Sequence, residues 1–132
     1  GFYEYDDKGK RTGLWTGLSK IWPTKETQPE FEEIKNRLIL SQVLEAIKAL
    51  EEGVLEDIRE GDVGAILGWG FAPWSGGPFG WTDIKGLKNV VEICNKLSLK
   101  EGKRFLPPKL LTEMANKNET FYGKYLKKDD AA

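Results

Sequence analysis

The sequence predicts an all-α fold: a compact bundle of about four helices with one Gly/Pro/aromatic loop, preceded by an extended N-terminal arm. Two observations carry that reading. From Glu30 onward, apolar side chains recur at spacings near three and four, the helical period. Breaks fall where those stretches end, with Gly53 and Gly102 as natural stops and Pro107-Pro108 as a natural start. A chain of 132 residues is the usual size of one domain and is long enough to bury one real core.

Residues 1–30 read as arm and linker. Gly1-Phe2-Tyr3-Glu4-Tyr5 alternates aromatic and other residues, as a short extended piece does, and Asp6-Asp7-Lys8-Gly9-Lys10 supplies turn chemistry after it. Trp15, Leu18, Ile21 and Trp22 follow, then Pro23 and Pro29, which suggests an arm that lies on another surface through its aromatics.

The first helix is expected from about Glu30 to Glu52, with Phe31, Ile34, Leu38, Leu44, Ile47 and Leu50 on its apolar face. Glu30, Glu32 and Glu33 suit the positive end of the helix dipole, and Gly53 suits the left-handed residue after the last turn. Ile39 and Val43 widen the face, so this helix packs on more than one neighbour. Ile34, Leu38, Ile39, Val43 and Ile47 are therefore the candidate partner surface. A second helix spans Glu56 to Leu67, with Ile58, Val63, Ile66 and Leu67 inward, weakened by Gly61 and Gly64.

Composition then changes abruptly. Residues 68–81 are almost entirely glycine, proline and aromatics, unsuited to a regular helix or a central strand. Glycines there permit close backbone approach and positive φ, while Phe71, Trp74, Phe79 and Trp81 plug gaps between helices. The favoured role for Gly68, Gly70, Phe71, Pro73, Gly76, Gly77, Pro78 and Trp81 is thus a structural loop; a ligand pocket lined by backbone and rings is the competing one. The segment lacks the strand–loop–helix arrangement of a phosphate cradle.

Thr82 to Gly86 suits one helical turn, and Leu87 to Ser98 a third helix with Leu87, Val90, Val91, Cys94 and Leu97 inward. Pro107-Pro108 opens a fourth, with Leu110, Leu111 and Met114 on one face. Phe121-Tyr122 and Tyr125 follow, and residues 124–132 read as a flexible tail.

Chemistry is limited by absences. The chain has no histidine, so His-based acid–base catalysis, Ser-His triads and His-ligated metals are excluded within it. Cys94 is the single cysteine, which rules out intrachain disulfides and multi-Cys metal sites, and its place in an apolar stretch favours a buried packing residue over a reactive thiol. A net charge of −1 with interspersed signs leaves no basic stripe for nucleic acid. No apolar run reaches the roughly 18 residues a membrane span requires. The many acids are most simply solvated helix faces, although a carboxylate-pair enzyme would also need them.

The run Ile66-Leu67-Gly68-Trp69-Gly70-Phe71-Ala72-Pro73-Trp74-Ser75-Gly76-Gly77-Pro78 resembles the LGxGFPPxxGGP signature of the C-terminal helical domain of 3-hydroxyacyl-CoA dehydrogenases, in the version found in multifunctional fatty-acid β-oxidation enzymes. Glu51-Glu52-Gly53-Val54 is similar to the end of that family's long helix. Gly102-Lys103-Arg104-Phe105, Pro107-Pro108-Lys109-Leu110-Leu111 and Glu119-Thr120-Phe121-Tyr122 are similar to its closing motifs. The resemblance covers residues 31–123; Ala72 and Trp74 depart from the commoner Pro and Phe. Gly1-Phe2-Tyr3-Glu4-Tyr5 resembles the end of the first of two related helical copies, so residues 1–30 would finish copy one and residues 31–123 would be copy two.

The resemblance implies a helical domain like that at the C-terminus of 6-phosphogluconate dehydrogenases, within an NAD-dependent oxidoreductase of fatty-acid metabolism. The family's catalytic His–Glu pair, Ser and Asn match no position here, so no catalytic, cofactor-binding or metal residue is implied in this chain, and NAD belongs to the parent. Implied partners are the parent's Rossmann domain and first helical copy. A free chain would pair with a second copy or cover its first helix with its own arm. The implied location is intracellular and soluble: cytoplasm in a bacterium, mitochondrial matrix or peroxisome otherwise. An independent interaction module using the aromatic loop is the alternative.

Overall fold

A computed structural model describes residues 1–126 and divides the chain into two units, residues 1–30 and the remainder from Phe31. Among the described residues it is mostly helical, with seven helices and one small two-stranded sheet.

The first unit is a hairpin followed by a single helical turn. Strand β1 (Tyr3–Tyr5) pairs antiparallel with β2 (Arg11–Leu14), placing Tyr3 opposite Leu14 and Glu4 opposite Gly13, with an irregularity after Glu4. The turn forms because the Asp6 Oδ1 accepts from the backbone N–H groups of Lys8 at 3.0 Å and Lys10 at 2.9 Å, while Gly9 takes a left-handed φ of 76°. The extended piece at the N-terminus is thus half of a hairpin; its second strand carries no aromatic alternation to announce it. α1 (Leu18–Ile21) follows, and Phe2, Trp15, Leu18, Ile21 and Trp22 line an open apolar cup of about 260 Å3. No residue of this unit is fully buried.

The second unit is built on α2 (Phe31–Glu51), which buries Leu40, Val43, Leu44 and Ile47. α3 (Ile58–Trp69) begins at Asp57, whose side chain accepts from the Arg59 N–H, and ends at Gly70 with φ 75°. Its inward face is Ile58, Asp62 and Ala65. Val63 and Leu67, expected inward, are 54% and 80% exposed. The reason is that an aspartate occupies the inward position, so the apolar residues one step along are turned out.

The Gly/Pro/aromatic segment is less irregular than its composition suggests. Pro73–Ser75 forms a 3-10 turn, and α4 runs from Gly77 to Lys85, so the expected turn at Thr82–Gly86 is only the end of a nine-residue helix. Pro78 is tolerated because it stands in the first turn, where its missing N–H has no intrahelical partner to lose. α4 buries Pro78, Phe79, Trp81 and Thr82.

α5 (Leu87–Glu101) buries Leu87, Val90, Cys94 and Leu97, with Val91 half-buried. A second 3-10 turn (Lys103–Phe105) tucks Phe105 into the core, and α6 (Lys109–Asn116) buries Leu111, Met114 and Ala115. α7 (Phe121–Tyr125) closes the unit, with Thr120 accepting from the Gly123 N–H. Lys124 and Tyr125 therefore belong to a helix rather than to a tail beginning at 124, and residues 127–132 lie outside the described residues. Ion pairs Glu33–Lys100 (2.6 Å) and Arg37–Glu101 (3.2 Å) join α2 to α5. Pairs that remain open to solvent contribute roughly 0–1 kcal/mol each, so the apolar core holds the unit together.

Candidate functional site

Of the residues singled out by the sequence, Gly77, Pro78 and Trp81 lie in α4, where α3, α4 and α7 meet, and a buried carboxylate stands at that junction. Asp62 is 2% exposed. One of its oxygens accepts from the Phe79 N–H at 2.7 Å; the other accepts from the Gly80 N–H at 3.0 Å and from the Tyr122 hydroxyl at 2.8 Å. The start of α4 supplies the two backbone donors, and no side chain of its own segment caps them. α3 thus provides from a distance the cap that a local Ser or Asp would usually give.

Close packing at the junction dictates two glycines, and the carboxylate itself dictates Gly77. Gly77 has φ 96°, and a Cβ there would stand 2.5 Å from Asp62 atoms. A Cβ on Gly61 would meet Leu55 at 2.7 Å and Phe79 at 2.8 Å. Only glycine lets α3 and α4 approach this closely.

Two further acids repeat the device. Asp83 Oδ1 and Oδ2 accept from the N–H groups of Phe121 at 2.7 Å and Tyr122 at 2.9 Å, holding the start of α7. Glu51, the last residue of α2, accepts from the Leu110 N–H at 2.8 Å, at the start of α6. Phe121 then seats its ring edge-on against Phe79, with centroids 5.1 Å apart. Among the described residues, no buried side-chain polar atom lacks a partner.

The electrostatics follow from burial. Desolvation raises Asp62 above the usual carboxylate value, and its hydrogen bonds from Phe79, Tyr122 and Gly80 oppose that shift. Tyr122 is raised, first by burial and then by its bond to Asp62. Burial pushes the Cys94 thiol up to about 12, which removes its nucleophilic form at neutral pH. Among the described residues, no group of three or more His, Cys, Asp or Glu side chains could hold a metal ion.

Of the loop residues named from sequence, Phe71, Gly77, Pro78 and Trp81 are buried, with Phe71 at 3% and Trp81 at 8% exposure. Gly68, Gly70, Pro73 and Gly76 are exposed. Trp74 does not plug a gap: it is 77% exposed, on the rim of a shallow groove of about 520 Å3 shared with Ile84 and Tyr122. That groove offers little polar chemistry, because Ser75 donates to the Ala72 carbonyl, Asp83 holds α7 and Tyr122 bonds Asp62.

The candidate partner surface needs correction as well. Val43 and Ile47 are fully buried core residues, and Ile39 packs partly against the core. Ile34 and Leu38 remain exposed, at 39% and 63%. The stripe was too wide because a central helix surrounded by neighbours has more than one inward face.

Asp62, Asp83, Glu51 and Tyr122 escape a reading that treats acids as solvated faces. A signal was present: Asp62 lies in phase with Ile58 and Ala65 on α3, and the Gly77-Pro78 helix start lacks a capping residue of its own.

Comparison with known proteins adds to this geometry. The chain is 38% identical over 122 residues to a fatty acid oxidation complex subunit alpha of Vibrio cholerae, across 92% of this chain and 17% of that protein. It is 39% identical over 125 residues to the Shewanella amazonensis protein of the same description, across 92% of this chain and 18% of that one. The chain is homologous to a segment of these alpha subunits. It spans about one-sixth of the length of the curated relatives it matches. No family model matches it. In this chain, the Gly/Pro/aromatic run is what allows α4 to start against Asp62. No described helix of the chain is long and apolar enough to cross a membrane.

Proposed function

We propose that this chain is a non-catalytic helical domain of an NAD-dependent 3-hydroxyacyl-CoA dehydrogenase within a multifunctional fatty-acid β-oxidation enzyme. Its role is to pack against the first helical copy and so support the acyl-CoA cleft. The carrying observation is that the polar chemistry of the junction is spent internally: Asp62, Asp83 and Tyr122 all hold helix starts or each other. Homology to fatty acid oxidation complex alpha subunits supports the β-oxidation setting. The parent's Rossmann domain and first helical copy are the partners in this reading, NAD is bound outside this chain, and a bacterial parent works in the cytoplasm.

The test has two arms. The isolated chain, titrated with NAD+ by calorimetry and assayed for NADH formation from a 3-hydroxyacyl-CoA, is expected to show neither micromolar binding nor turnover; either result would overturn the reading. In the longer protein, Asp62→Asn is expected to lower the melting temperature while leaving the KM for NAD+ unchanged.

A second reading is favoured by the exposure of Trp74 and Ile84, at 77% and 79%. On it the groove is a docking point for a protein partner outside the parent. Trp74→Ala would then weaken a partner complex while the activity of the parent stays intact.

A further inference from the structure

We draw no further inference here: the strongest candidate, the exposed outer face of α3 formed by Val63 and Leu67 beside Gly64 and Gly68, which have open space where a side chain would stand, carries nothing because no observation shows what covers it.

Discussion

Replacing Asp62 by Ala should be among the most damaging single changes in the chain. The substitution strips acceptors from two backbone N–H groups at the start of α4 and from the Tyr122 hydroxyl. A buried donor left without a partner costs about 1–3 kcal/mol, so three of them point to a loss of roughly 3–5 kcal/mol after local relaxation. That is a large part of the about 5–15 kcal/mol by which a domain is stable. Urea unfolding followed by tryptophan fluorescence reads the loss directly. With a slope of roughly 1–3 kcal/mol per molar, the midpoint should fall by about 2 M. Tyr122→Phe removes one of the three bonds and should cost only about 1 kcal/mol. Asp62→Asn keeps the shape but points an amide donor at backbone donors, and should fall between the two. If Asp62→Ala unfolds within about 0.5 kcal/mol of the native chain, or Tyr122→Phe costs as much as Asp62→Ala, the carboxylate does not organise the junction.

Other expectations follow from the same geometry. Burial raises the folded pKa of Asp62 above its unfolded value, so the folded chain takes up this proton first. Asp62's own contribution is therefore fully present below the ordinary carboxylate value of about 4 and is lost as pH rises through the folded pKa. The gap between the native chain and Asp62→Asn should accordingly be wider at pH 4 than at pH 7, and a gap that widens toward neutrality would show that the hydrogen bonds outweigh burial. Phe71→Ala should cost about 3–5 kcal/mol and lower the melting temperature by well over ten degrees, whereas Trp74→Ala should stay within about 0.5 kcal/mol in the isolated chain. Gly77→Ala meets both a positive φ and the Asp62 carboxylate and should destabilise by more than about 2 kcal/mol, while Gly64→Ala in open space should stabilise α3 by up to about 1 kcal/mol. Cys94, fully buried with its thiol pushed up to about 12, should resist alkylation at pH 8 until urea unfolds the chain.

By itself, the sequence determined the helical class, the start and end of α2, the inward face of α5 and the burial of Phe71 and Trp81. Those features depend on local period and on glycine and proline breaks, which a single segment carries whole. It also ruled out histidine chemistry in this chain before any geometry was known. Tertiary structure alone decided that Gly77–Lys85 is a helix, because its cap comes from Asp62, fifteen residues before its first residue and on another element. It likewise decided that Val63 and Leu67 face out and that Val43 and Ile47 face in. Apolar spacing says that a face exists, but which side finds a neighbour depends on how many helices surround it. A buried acid reads in one dimension like a solvated one; only the donors that fold toward it, here Phe79, Gly80 and Tyr122, reveal that the charge is held rather than displayed.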